Sequence, residues 1–359
     1  MPLSLRPLEP ATRPAFEALL RESWEPSWDD AIQREIVAWR YRERPSDGRT
    51  WLAFDGERCV AMIDSFVRPW LLDGRPVMLR EHCDWYCAPS HRPAGIGVVL
   101  MRKLMQQKEP IVSVGGTPPT LALLPKLRWA AMPSLDVRYL PIKARGLAAG
   151  LLRRRWPEQE ALARAIPGFV PLRRPRPAPP PGPDARIEPW DPAEEAPTPR
   201  AAGLVELLPR AEHDWMRRIP PTLGRPLSLA FRVAGALVGV SFSLLAPAAA
   251  GLEGFIVHLQ LADGTQATAD WVVAETARAL ARDGAGLIRC LAGDPAKTAA
   301  LERAGFLGAP PRPAFWWSRD VPAPASIDGG FLRADDFVPL ALLRGRRLSA
   351  RAMPERAIA

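Results

Sequence analysis

The chain has little with which to build a metal or thiol centre. Its 359 residues include only four cysteines and four histidines. Cys59, Cys83, Cys87 and Cys290 form no C-x-x-C pair, so no metal is expected and buried, reduced thiols are. No run approaches the roughly 18 apolar residues of a membrane span. The opening MPLSLRPLEPATRP lacks the apolar core of a signal peptide, and a cytoplasmic protein is expected. No convincing Cys-His or Ser-His pairing occurs, which argues against a covalent nucleophile on the protein. The dinucleotide fingerprint G-x-G-x-x-G does not follow the first strand either.

What is abundant is proline and arginine. The 42 prolines concentrate in residues 169–200, and the stretch from Arg173 to Asp184 can only be an extended spacer. The net charge is +9 and the isoelectric point about 10.0. An Ala-, Pro- and Gly-rich composition accounts for an arginine excess by itself. Anionic small molecules, membrane surfaces and RNA remain the partner classes it would suit. The basic patch Arg153–Arg155 lies in a helical pattern and reads as a solvated face.

At this length two domains are expected, and the segments flanking the spacer resemble one another. Trp39, Arg40, Arg42 and Pro45 are echoed by Trp215, Arg217, Arg218 and Pro220. Each set precedes a Gly-Arg, a strand ending in LAF, a tight turn (DGE or VAGA) and a second apolar strand, a hairpin signal. We read one architectural unit used twice. The expected layout is residues 1–145 as the first unit, 146–184 as helix and linker, 185–322 as the second unit and 323–359 as a tail. In the tail an apolar stretch docks and a basic end frays.

Within the first unit the pattern predicts strands near 3–8, 50–56, 58–67 and 76–88, then a helix over 94–107, strand 110–115, helix 117–128 and strand 135–142. Helices over 11–21 and 28–40 precede the second strand. The fold class is mixed α/β of the α+β type. At the strand-to-helix junction stands CAPSHRPAGIGVVLMRKLM, with Arg92, Gly95 and Gly97 in an R-x-x-G-x-G pattern. A helix N-terminus there offers unpaired N–H groups to an anion, and two glycines let a phosphate come close.

That motif, in that order of elements, resembles the GNAT superfamily of acetyl-CoA-dependent N-acetyltransferases. The resemblance covers most of residues 3–142 and, more faintly, 185–320, and tandem members of the superfamily are known. It implies that amides of Ala94, Gly95, Ile96, Gly97 and Val98 bind the CoA pyrophosphate beside Arg92. Tyr86, Cys87 and Ala88 would pair with the pantetheine arm, the Cys87 amide polarising the thioester carbonyl. Glu81 falls where some members place a catalytic Glu, and Asp84 is a substrate-amine anchor or a salt-bridge partner. The two are expected on opposite faces of one strand. Thr117 stands where an Asn contacting pantetheine is common, and Leu124 where a Tyr acid is common; Tyr139 is a possible substitute acid, or packing. Pro93 removes one N–H from the loop. His82 and His91 read as surface residues.

The second unit lacks R-x-x-G-x-G. Its ADGTQ reads as a tight turn, with a helix from about Thr268, so a degenerate copy is expected. Trp316 and Trp317 are core aromatics or a sugar-binding face. The function implied is transfer of an acetyl group from acetyl-CoA, as co-substrate, to the amine of a small-molecule acceptor, for example an amino sugar. Two alternatives stand beside it: a tRNA-dependent aminoacyltransferase, which would not need the CoA-type turn, and a non-catalytic module binding CoA or a partner protein.

Overall fold

A computed structural model describes residues 3–23, 35–45, 50–191, 193–199, 202–248, 251–262 and 265–331. The chain opens with strand β1 (Leu3–Pro7), helix α1 (Arg13–Ser23) and a turn of π-helix at Ala38–Arg42, where a longer α-helix is expected. Residues 28–34 of that expected helix lie outside the described residues. An antiparallel meander follows: β2 (Trp51–Asp55), β3 (Arg58–Leu72) and β4 (Arg75–Cys87). The β3–β4 turn is Asp73-Gly74 with both residues at positive φ, 50° and 76°, the backbone a two-residue hairpin of this twist requires. Strand β3 outruns its expected end at residue 67, continuing through Pro69 to Leu72. Pro69 is tolerated because it falls between the stretches of β3 covered by β2 and by β8 (Leu204–Glu206).

Helix α2 (Ile96–Leu104) crosses to β5 (Ile111–Val114), and α3 (Pro118–Leu123) leads to β6 (Ala130–Pro141). Pro125 cuts the helix expected over 117–128 into α3 and a short 3₁₀ turn. Helix α4 (Ala144–Arg155) and the extended proline segment then lead to β7 (Arg186–Pro189).

The second half repeats the plan. After β8 come α5 (Arg210–Arg217), β9 (Arg225–Val233), β10 (Ala236–Ala248) and β11 (Gly251–Leu261). Helix α6 (Gln266–Arg282), β12 (Ala285–Ala292), α7 (Pro295–Ala304), β13 (Leu307–Trp317) and the short β14 (Ile327–Asp328) complete the described residues, and the expected tail beyond residue 331 lies outside them. The VAGA turn places Ala234 and Gly235 at positive φ, matching the first hairpin.

The fourteen strands among the described residues join one mixed sheet, with the main order β1-β2-β3-β4-β5-β13-β6-β12-β11-β10-β9-β7. The order is nearly palindromic about the β13–β6 pair, and the last strand of each half is exchanged. β13 pairs with β5 of the first half, and β6 with β12 of the second. The repeated tryptophans meet at the centre. The Trp39 and Trp215 rings stack 4.5 Å apart at 11°. Each indole N–H donates to the other residue's backbone carbonyl, at 3.1 and 2.7 Å. Reciprocal contact between equivalent residues is the mark of two-fold symmetry. One apolar core therefore runs from α1 across β3 and β4 into α5 and β10, while α2 packs on the opposite face of the first half.

Candidate functional site

β4 and β5 are paired, in parallel, only at Arg80–Ile111 and Glu81–Val112. Beyond that step β4 continues to Cys87 while β5 diverges. A bulge accompanies the parting. Asp64 faces Cys83 but Met62 faces Tyr86, so Asp84 and Trp85 share one partner residue on β3, and Asp84 takes φ 45°. A bulge bends its strand and re-aims a side chain. Asp84 consequently turns toward Arg40 and Tyr41, on the face that holds Leu79 and Tyr86 and toward which Glu81 also points, whereas opposite faces were expected.

The end of β4 presents backbone to the opening. The Ala88 N–H donates to Val60 O at 2.8 Å, so by antiparallel alternation the N–H and C=O of Cys87 point away from β3. Arg92 Nε donates to that carbonyl at 3.0 Å. Across the parting, His82 Nδ1 and Ser113 Oγ are hydrogen-bonded at 3.0 Å, with His82 against the rings of Trp85 and Trp129. His82 is thus buried, not at the surface as expected, because the wall of the parting is aromatic. His91 is near the surface, 3.3 Å from Asp55. Thr117 is exposed at the mouth, its hydroxyl 3.1 Å from that of Thr120.

Helix α2 starts at this opening. Gly95 is its N-cap, at φ 71° and with no side-chain cap. A Cβ added there would meet nothing within 4 Å, so the glycine faces open space. Gly97 is small for another reason. Its Cβ would lie 3.2 Å from the Trp85 indole nitrogen, which donates to Gly97 O at 3.1 Å. The amides are partly engaged. Gly95 N–H donates to Arg92 O, Val98 N–H to Gly95 O, and Gly97 N–H is directed at the Cys87 sulfur. Sulfur is a weak acceptor that an anionic oxygen would displace. No partner holds the Ile96 N–H among the described residues. Ala94 is exposed beside it.

Of the expected acid–base residues, Glu81 is 0% exposed. It pairs with Arg68 and accepts from Trp70 Nε1 at 2.7 Å. Arg68 also pairs with Glu206 of the second half, so Glu81 forms part of a clamp between the halves. Asp84 accepts from Arg40 at 2.8 Å and from the Tyr41 hydroxyl at 3.0 Å. Burial, and then the Asp84 charge, push the Tyr41 phenol well above its ordinary pKa, so it stays a neutral donor. Tyr41 also lines a cleft of about 410 Å³ with Glu9, Arg13, Phe16, Arg42 and Trp51. The sequence reading passed over Tyr41, although it lies inside the repeated Trp-Arg-Arg-Pro segment and is one of only three tyrosines.

Asp64, Cys83 and Asp84 place three donor atoms within 4.8 Å of one another, a grouping with metal-ligand chemistry. Thr50 and Cys83 donate to Asp64, and the Arg40 guanidinium already balances Asp84. The set does not fit a cation. Tyr139 is not brought to the parting. It sits on β6 opposite Arg289 and Leu307, with β13 and β5 between it and β4. Leu124 is fully buried beneath α2.

The equivalent opening in the second half is filled. β11 and β12 run parallel as far as Ile256–Cys290 and then part. Residues 327–331 enter the gap. Phe331 N–H donates to Val257 O at 2.7 Å, as an added strand would. Asp328 accepts from the Gly293 and Asp294 amides at 3.0 and 3.1 Å and pairs with Lys297. The fit needs glycine: a Cβ on Gly330 would lie 2.0 Å from Val257 O, and one on Gly293 1.7 Å from Ile327 O. Helix α6, the counterpart of α2, is capped by the Thr265 side chain. Trp316 is buried core, and its strand packs against β5.

Residues 4–113 match the family model described as "Acetyltransferase (GNAT) domain". No curated protein matches the sequence. Among solved structures, a GCN5-related N-acetyltransferase from Anabaena variabilis superposes with a TM-score of 0.56 at 11% identity, covering 88% of this chain and 72% of that one. N-myristoyltransferase from Saccharomyces cerevisiae with bound myristoyl-CoA gives 0.58 at 11% identity, covering 88% and 78%. A tandem GNAT protein from the clavulanic acid biosynthesis pathway gives 0.51 at 15%, covering 90% and 100%. At these identities the structures establish a shared fold. Residues 4–113 thus match a GNAT domain, and the chain as a whole shares the fold of these acyltransferases.

Proposed function

We propose that the first unit is an acyl-CoA-dependent N-acyltransferase, with acetyl-CoA as the donor and a small-molecule amine as acceptor. The observation that carries this reading is the parting of β4 from β5 beside an N-terminus of α2 that no side chain caps. Gly95, the Ile96 amide and Arg92 would hold the pyrophosphate, and the outward N–H of Cys87 would donate to the thioester oxygen. Bound there, an acyl-CoA supplies an activated carbonyl: its C–N bond to the amine forms, its C–S bond breaks, and the amine's surplus proton is lost as a thiol is released. The cleft lined by Tyr41, whose hydroxyl donates to Asp84, would admit the acceptor on the same face as the bulge. No nucleophile on the protein is required.

The test combines calorimetric CoA binding with thiol release across a panel of amines. Gly95→Glu should abolish CoA binding by putting a carboxylate into the open space. Gly95→Ala bears only the strain of positive φ, about 1 kcal/mol, and should bind CoA within a few-fold of the parent. Undiminished binding by Gly95→Glu would remove the cofactor from this position.

A further inference from the structure

The basic segment around Arg153–Arg155 takes no part in the site above. Residues 143–176 carry nine Lys or Arg and two Glu, a net +7 of the chain's +9. Residues 332–359 add +3, so the other 297 residues sum to −1. The positive charge is therefore not a uniform compositional wash. It belongs to one tenth of the chain and the tail.

The same segment is apolar where it meets solvent. Nine large apolar residues are exposed among the described residues, and five fall here: Leu151, Trp156, Leu162, Phe169 and Leu172. The segment is an excursion closed at its base. Ala144 N–H donates to Val170 O, and Leu172 N–H to Ile142 O. Helix α4 seats its small residues inward. A Cβ on Gly146 would lie 2.3 Å from Gly286 O, one on Gly150 would touch Leu287, and Ala149 is buried. Its small residues thus face the sheet while Leu151 faces solvent, the reverse of an ordinary surface helix. Phe169 is 83% exposed and Leu162 63%, too much apolar surface in one place for a solvated face.

We propose that residues 143–176 form a docking surface for an anionic lipid bilayer, the apolar side chains seated at the acyl-chain boundary and the arginines on headgroup phosphates. Three of the five exposed apolar residues are leucines, which suit acyl chains and offer no ring for a base to stack on. Trp156 and Phe169 are side chains that amphipathic membrane surfaces also seat at the headgroup boundary. The tail and a second copy of this surface are positively charged as well, so neither is a complementary cover.

The full chain is sedimented with vesicles of phosphatidylcholine alone and with vesicles that also contain phosphatidylglycerol. Binding should require the anionic lipid and weaken as salt rises. The double variant Phe169→Ser, Leu162→Ser should reduce partitioning about tenfold. Arg173→Glu with Arg174→Glu should abolish it, all four side chains being exposed so that folding is undisturbed. Arg346→Glu with Arg347→Glu in the tail should leave it within a few-fold. Indifference to the lipid charge, or to both substitutions within 143–176, overturns the proposal. So does dependence on the tail pair instead. An RNA hairpin bound more tightly than the vesicles, through the arginines but not through Phe169 and Leu162, would also overturn it and assign the surface to nucleic acid.

Discussion

His213 lies in the core of the second half, where its ring stacks on Trp190 at 4.0 Å and meets Phe242 edge-on at 5.4 Å. Burial, followed by the nearby Arg217 charge, pushes its pKa down to about 4, with Asp214 opposing and His258 reinforcing the shift. The unfolded chain therefore takes up this proton first. The stability that neutral His213 contributes is complete above about pH 6.5 and is lost as pH falls toward 4. The unfolding free energy from denaturant titrations should fall over that window, by up to about 3 kcal/mol from this residue. His213→Asn should be less stable at pH 7 and show a flatter profile; an unchanged slope would show that carboxylates alone set the acid limb. At this scale the sequence was only partly legible. The Gly95 turn could be read as a helix start because its positive φ is a backbone requirement that glycine meets. Tyr41 could not, because it owes its place to a bulge at Asp84 that no local pattern announces. Glu81 was legible as a carboxylate on β4, but its burial depends on Arg68 and Glu206, and Glu206 lies 125 residues away.

Among elements, the hairpins and the β4–α2–β5 crossover followed from turn residues and alternation, signals that are local. Their mutual arrangement did not, because nothing within a strand states which strand it pairs with. Hence the exchange of β6 and β13 lay outside what periodicity can reveal. The repeated Trp-Arg-Arg-Pro segment was visible as a likeness, yet it is also a contact, since each copy lies on the other at the pseudo-two-fold. Trp39→Ala and Trp215→Ala should each cost about 3–5 kcal/mol. Each deletion breaks the same stack and leaves one reciprocal indole bond unmade, so the double variant should cost at least about 1 kcal/mol less than the sum. Equilibrium unfolding of the four proteins measures this directly. Additive losses would mean that the two rings stabilise their own halves independently.

Across the whole molecule, the two-fold repeats the fold but not the site. Both halves have a pair of parallel strands that part, yet only the first leaves the gap beside an uncapped helix start. The second fills its gap with residues 327–331, and the filler mimics a ligand. Phe331 pairs with β11 as an extended arm would, and Asp328 carries an anionic group to the amides that begin α7. Glu206 links the two halves of the design, gripping Arg68 on one side and the Gly330 amide on the other. Loosening the filler should therefore cost stability without creating a CoA site in the second half, because α6 remains capped by Thr265 and no R-x-x-G-x-G precedes it. Asp328→Ala removes the partner of the largely buried Lys297 and two amide bonds, a loss of about 3 kcal/mol that thermal melts would register. Calorimetric titration with CoA should give a single site per chain for both the parent and Asp328→Ala. A second site appearing in the variant would mean that the second half is a masked enzyme, with residues 327–331 as its lock.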